Sequence, residues 1–312
     1  MKYRLLLIAS LTLLSTFVHA QQIVLTPQWT AQSQFAGYYI AQEMGFYKEA
    51  GVDVVIRHTT ASDMALNHLR SGKSNAITMI LYDAIYQIEH GVEMVNILQT
   101  AQKSGHIIVV RDDKIKNIQD LRGKRVGIWR SNFNQLVQLM DLDYNLNIDW
   151  ITFIQSINLY ISGAIDATMA VTYNELYWLQ CSGFEDKLVI TLAELGYDYP
   201  EDGLYISKEY YDKYPEKAKA FAEASRRGWE WAHENPEKAL DVVIDVMHRE
   251  NVPVSRRHQE WMLNEVLKQQ CAEGESAPSF GLDSAKVNEL NELLIRHNRI
   301  TKGLTADQIQ GR

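Results

Sequence analysis

The sequence reads as an α/β protein of two lobes, each a mainly parallel sheet flanked by helices. Three observations lead there. Val24 to His58 forms a complete strand–helix–strand unit, and a similar alternation restarts near Asn117. In addition, Ser71-Gly72 through Met79 and Ser162-Gly163 through Met169, 91 residues apart, each close a helix with Ser-Gly and begin a strand. Helix-Gly-strand joints are common in α/β proteins, so the repeat supports the two-lobe reading without carrying it alone.

In the first unit, Ile23 to Leu25 is a short apolar run and Val52 to Ile56 is rich in β-branched residues, as a buried parallel strand requires. Between them Phe35, Tyr38, Tyr39, Gln42 and Phe46 recur at helical spacing, and Gly51 closes the unit. The loop Thr26 to Gln34 then falls at the carboxyl end of the sheet, where open α/β folds hold ligands. It carries Trp29, Gln32, Ser33 and Gln34.

Further along, Ser62 and Asp63 can cap a helix containing Met64, Leu66 and Leu69. Strands are expected near Asn75 to Ile80, Met94 to Leu98 and Gly105 to Arg111, with a helix from Tyr82 to His90. The charged segment Asp112 to Lys116 suits a crossing between lobes. This gives a first part of lobe 1 over 21–111, lobe 2 over 112–198, and a return to lobe 1 with C-terminal helices over 199–312. Within lobe 2, strands are expected at Arg125 to Trp129, Asp149 to Ile154 and Asp166 to Val171. Ser131-Asn132 opens a helix, and Thr172 to Glu175 ends the third of these strands at its carboxyl edge. Leu188 to Leu192 and Gly203 to Ser207 read as strands, and Pro215 to Glu234 as a long helix stopped by Asn235-Pro236.

The first twenty residues read as a secretory signal peptide. Lys2 and Arg4 precede an apolar run from Leu5 to Leu14, and Val18-His19-Ala20 offers cleavage before Gln21. The run is too short for a membrane span, and a periplasmic protein with no stable membrane insertion is expected. Cleavage moves the formal charge from -8 to -10. An acidic chain is a poor partner for nucleic acid, which asks for a basic face. Cys181 and Cys271 lie 90 residues apart with no spacing rule for or against a bridge. There is no His-Glu-x-x-His, no clustered Cys and His, no G-x-S-x-G elbow and no Gly-rich phosphate loop, so no metal, cofactor or catalytic group is expected.

The segment W-x-x-Q-x-Q-F-A-G-Y-Y-I-A from Trp29, followed by G-F-Y-K-E-A-G-V-D-V from Gly45, resembles the opening of the NMT1/THI5-like (SsuA/THI5-like) group of periplasmic solute-binding proteins. The resemblance implies the two-lobed periplasmic-binding-protein fold of type 2 topology, capture of a small-molecule ligand, and delivery to an ABC transporter permease. It points first to a thiamine pyrimidine precursor or similar aromatic heterocycle, with sulfonate and nitrate binders as more distant relatives. A sensor-linked binding protein is the alternative role. Related fungal pyrimidine synthases hold pyridoxal phosphate on a lysine, with a histidine four residues later. The matching positions are Thr78 and Tyr82, and no cysteine cluster lies near Glu201 to Tyr205, so no Schiff base can form. Thiamine-precursor binders carry Asp or Asn before the tryptophan matched to Trp29, where this chain has Gln28.

Candidate ligand contacts follow from fold position. The aromatics Trp29, Tyr82, Trp129, Tyr173 and Tyr199 fall after strands or in loops, where they can stack a flat ligand or fill lobe interfaces. Gln32, Gln34, Thr78, Asn132, Asn174 and Glu175 form the polar set. Glu175 is the most discriminating, since a carboxylate beside amides suits an amino-bearing or cationic ring, whereas a solvated helix start is the plain alternative. The Ser131-Asn132 helix start, assisted by Lys103, Arg111 and Arg130, could instead cradle an anion.

Overall fold

In the first sheet, β1 (Ile23–Thr26) pairs in parallel with β2 (Val54–Ile56), Ile23 opposite Val54. Helices α1 (Ala36–Glu43) and α2 (Phe46–Glu49) cross between them, as the apolar spacing requires. The coordinates are a computed structural model describing residues 22–60, 63–129, 135–153, 157–272 and 274–312. The signal-peptide reading, the Ser62 cap, and Arg130, Ser131 and Asn132 lie outside the described residues.

The chain continues through α3 (Ala65–Arg70), β3 (Ala76–Ile80), α4 (Leu81–Glu89) and β4 (Met94–Gln99), then enters the second lobe at β5 (His106–Val110). There it forms β6 (Arg125–Trp129), α5 (Gln135–Tyr144), β7 (Asp149–Phe153), α6 (Asn158–Ile161), β8 (Ala167–Val171), α7 (Glu175–Leu179) and β9 (Val189–Thr191). It returns at β10 (Asp202–Ser207), followed by α8 (Lys208–Lys213), α9 (Pro215–Glu234), α10 (Pro236–Arg249), α11 (Arg256–Gln269), α12 (Ser284–Arg296) and α13 (Ala306–Ile309).

Each sheet is mixed, and their strand orders match: β2-β1-β3-β10-β4 and β7-β6-β8-β5-β9. The strand entering after each crossing, β10 or β5, lies antiparallel between two neighbours. This corrects the expected position of the first crossing. β5 pairs with β8 from His106 opposite Val171 to Val110 opposite Ala167, so the chain changes sheets within residues 100–105, before the segment Asp112 to Lys116. An unbroken apolar run signals a buried strand but not which sheet it joins. Asp112 to Lys116 is instead a turn, closed by the Ile115 N–H on the Asp112 carbonyl at 2.9 Å.

The C-terminal helices complete the first lobe. α9 lies directly on α1: a methyl at Gly228 would sit 2.0 Å from the Gly37 carbonyl oxygen, and one at Gly37 would sit 2.2 Å from the Trp229 ring. The two backbones therefore touch, sealed by Tyr38 and Trp229, which meet edge to face at 5.6 Å. α12 also reaches the second lobe, where Arg296 Nη2 donates to Asp143 Oδ2 at 2.7 Å. Cys181 is exposed and Cys271 buried, and both are free thiols. No helix among the described residues is long and apolar enough to cross a membrane.

Candidate functional site

β1 and β3 lie side by side in the first sheet, β10 places Asp202 opposite Ile80 at the end of β3, and Gln34 after β1 reaches Tyr173 after β8, so these strand ends meet at the gap where the lobes meet. On the first lobe, Asp202 is held by two amides. Gln28 Nε2 donates to its Oδ1 and Gln34 Nε2 to its Oδ2, both at 2.7 Å. Gln34 is steadied in turn by Gln32, whose Nε2 donates to Gln34 Oε1 at 2.6 Å. The Gln28 backbone N–H donates to Thr78 Oγ1 at 2.9 Å, tying the loop after β1 to the neighbouring strand. Burial pushes the Asp202 carboxyl up to about 6 against the two amide donors, with Glu201 adding to the rise.

On the second lobe, β8 delivers Thr172, Tyr173 and Asn174 into the gap, and Glu175 opens α7. Glu175 Oε1 accepts from Asn174 Nδ2 at 2.8 Å and Oε2 from the Val171 N–H at 3.2 Å. Burial nevertheless raises this carboxyl to about 7. It is not the solvated helix start that an acid at this position also allows. Tyr173 joins the lobes, its hydroxyl accepting from Gln34 Nε2 at 3.3 Å.

His106 and Glu201 complete the site. His106 Nδ1 bonds Glu201 Oε1, and both side chains are buried. Burial alone would lower the imidazole, but Glu201, Asp202 and Glu175 together raise it. Three carboxylates thus surround one imidazole. Neither Glu175 nor Asp202 pairs with a Lys or Arg among the described residues. Two polar atoms beside them, the Tyr82 hydroxyl and Gln28 Oε1, are buried with no hydrogen-bond partner among the described residues. Burial, with Asp83, Glu201 and Asp202, keeps the Tyr82 phenol protonated. The site therefore offers a neutral hydroxyl, an amide oxygen and two carboxyls to a ligand rich in N–H groups.

Residues 32–239 match the sequence profile described as NMT1/THI5 like, two thirds of the chain. The chain belongs to the NMT1/THI5-like family. Among relatives of this NMT1/THI5-like protein, the formylaminopyrimidine-binding protein of Halalkalibacterium halodurans is 23% identical over 296 residues, covering 89% of this chain and 86% of the relative. The riboflavin-binding protein RibY of Chloroflexus aurantiacus is 23% identical over 235 residues, covering 72% and 66%. In structure it is similar to the alkanesulfonate-binding protein SsuA of Xanthomonas axonopodis pv. citri bound to MOPS, at a TM-score of 0.65, 10% identity, and 93% and 97% coverage. These proteins are named as binders, not enzymes, and the fold they share is that of periplasmic binding proteins.

Gln32, Gln34, Thr78, Tyr82, Tyr173, Asn174 and Glu175 gather at the gap in this family member. Trp29 is half-buried beside them; its carbonyl accepts from His58 Nδ1 at 3.1 Å, and Tyr39 reaches His58 Nε2 at 3.0 Å. Trp129, half-buried at the end of β6, packs edge-on to Phe153 at 6.1 Å. Tyr199 is buried, and the charges acting on its hydroxyl are Glu289, Arg296, Asp143 and Glu292. It thus faces α12 and α5, away from the Asp202 cluster. Asn132 lies outside the described residues.

Sequence reasoning overlooked Asp202, Glu201 and His106, and read Gln28 only as a departure from relatives. Glu201-Asp202-Gly203 resembles an exposed turn, and His106 is hidden at the head of an apolar strand. The usable signal was an acid pair placed where the chain returns to a sheet.

Proposed function

We propose that this protein captures a small, amino-bearing nitrogen heterocycle in the periplasm and delivers it to an ABC importer. One observation carries the reading: Glu175 of one lobe and Asp202 of the other both act on Tyr173, which Gln34 bonds across the lobes. His106 is the cation they share, and neither carboxyl is paired to a Lys or Arg among the described residues. Such a pair accepts N–H donors from both sides of a flat ligand and repels anions. The half-buried Trp29 and Tyr173 supply rings against which the heterocycle lies, and closing of the lobes removes it from water. A pyrimidine related to thiamine fits this chemistry. It is supported by the formylaminopyrimidine-binding relative. Sulfonate or nitrate would place negative charge between two carboxyls.

The test is thermal melting of the chain from Gln21 with formylaminopyrimidine, riboflavin, taurine and nitrate. A ligand at 100 times its Kd adds about 2.7 kcal/mol of stability, enough to resolve in a melt. Stabilisation by formylaminopyrimidine and none by the anions is expected. Stabilisation by taurine or nitrate alone would overturn the assignment.

A further inference from the structure

One helix holds both rims of the gap. α11 belongs to the first lobe, where Met262, Leu263, Val266 and Leu267 join the core beneath α1 and α10. Its Gln259 fixes the first rim: Oε1 accepts the Ser33 N–H and the Gln259 carbonyl accepts the Ser33 hydroxyl, each at 2.8 Å. Ser33 stands between Gln32 and Gln34, so this pair orients Gln34, which donates to Asp202, and Gln32, which donates to Gln34.

The same helix reaches over to the second lobe. Trp261 Nε1 donates to the Thr172 carbonyl at 2.8 Å, next to Tyr173, and the buried His258 ring packs on Tyr177 and Trp178 of the second lobe. The contact is reinforced by rings: His258 lies 5.2 Å from Tyr177 and 4.7 Å from Trp178, and Trp261 lies 5.9 Å from Tyr177, by centroids.

We propose that Trp261 and His258 are positioning residues of the ligand gap. They set the loop bearing Tyr173 and Glu175 against the Gln32–Gln34 turn and thereby fix the closed spacing of the lobes. The proposal rests on the gap being the ligand site. When the lobes part, α11 must release one rim. Ser33 and Gln259 are 0% and 3% exposed and lie within one lobe, whereas Trp261 is half-buried at the boundary. The break therefore falls at the Thr172 carbonyl and at the rings of Tyr177 and Trp178, and α11 moves with the first lobe. One neutral hydrogen bond shifts such an equilibrium by about two- to tenfold, and a ligand that binds only the closed state weakens in proportion to the closed fraction that is lost.

Trp261→Phe, which keeps a ring but lacks the N–H, and His258→Ala, which removes the ring, test this, singly and together. Melting of each variant establishes that it folds. Amide exchange over residues 172–175, compared with Ser33, and the radius of gyration from solution scattering are then read without ligand. Expected are exchange about two- to tenfold faster at 172–175 in each single variant and faster still in the double. Ser33 should be unchanged and the scattering radius wider. The Kd for formylaminopyrimidine should rise only as the closed fraction falls, so the gain in exchange multiplied by the rise in Kd stays within about two- to tenfold for each single variant. If formylaminopyrimidine binds neither wild type nor variants, the ligand assignment fails while exchange at 172–175 still decides the role of α11. Wild-type exchange there and an unchanged radius in the double variant would overturn the proposal, as would equal acceleration at Ser33, the mark of general loosening.

Discussion

His106 at the head of β5 and Glu201 just before β10 share a hydrogen bond where the two crossings run side by side, with 2% and 4% of their side chains exposed. Glu201 Oε1 also accepts from the Ser104 hydroxyl at 2.7 Å and the Gly105 N–H at 2.9 Å. One carboxylate therefore gathers both segments of the hinge. Removing the imidazole leaves that carboxylate buried with only neutral donors. His106→Ala is expected to cost about 3–5 kcal/mol in urea unfolding. A double-mutant cycle with Glu201→Gln should show coupling of at least about 1 kcal/mol. Additive losses would mean that the pair does not act as a unit.

Glu175 makes ligand-free stability depend on pH. Its folded value of about 7 lies above the ordinary 4.5, so the native state favours the protonated form. The associated stability is fully present below pH 4.5 and is lost as pH rises through 7. The loss amounts to at most about 3 kcal/mol. Glu175→Gln should therefore melt higher than wild type at pH 8 and nearly equal to it at pH 4.5. Parallel melting curves across that range would contradict the burial of this carboxyl. Asp202→Asn should behave alike over a window shifted down, as its carboxyl lies near 6.

The same two substitutions should act oppositely on binding. Hydrogen bonds to charged groups are worth about 1.5–3 kcal/mol, so Glu175→Gln and Asp202→Asn should each weaken formylaminopyrimidine by roughly 10- to 100-fold in calorimetry. Trp29→Ala should also weaken it, through lost stacking area. Unchanged affinity in all three would place the ligand elsewhere.

Gly228 tests the contact between α9 and α1. Its added methyl would lie 2.0 Å from the Gly37 carbonyl oxygen, a backbone atom that cannot swing aside. Gly228→Ala should cost about 1–3 kcal/mol in thermal melting, despite the better helix propensity of alanine. A stabilised variant would show that the helices can separate freely.

Much of the architecture was legible because apolar periodicity records which face of an element is buried. β1, α1 and β2 follow directly from Ile23 to Ile56, and Glu175 was found because it follows a strand at its carboxyl edge. Pairing between distant strands leaves no such trace. His106-Ile-Ile-Val-Val reads the same in either sheet, which is why the first crossing was placed too late. Asp202 was overlooked for a related reason. An acid before Gly203 looks solvated until Gln28 and Gln34, some 170 residues earlier, are seen to donate to it. Tyr199 lies in the loop ahead of β10, a place that suggested an open rim, yet the charges nearest its hydroxyl are mostly those of α12, and helix packing from the far end of the chain is not written locally.

The exchanged strand in each sheet also governs when the protein can take shape. β3 and β4 are not neighbours; they are joined only through β10, which begins at Asp202. Until β10 is made, the strand between β3 and β4 is missing and the facing edges of both lack their partner. The first sheet is therefore completed only after about two thirds of the chain has been synthesised, because pairing of β3 with β4 runs through a strand made long after both.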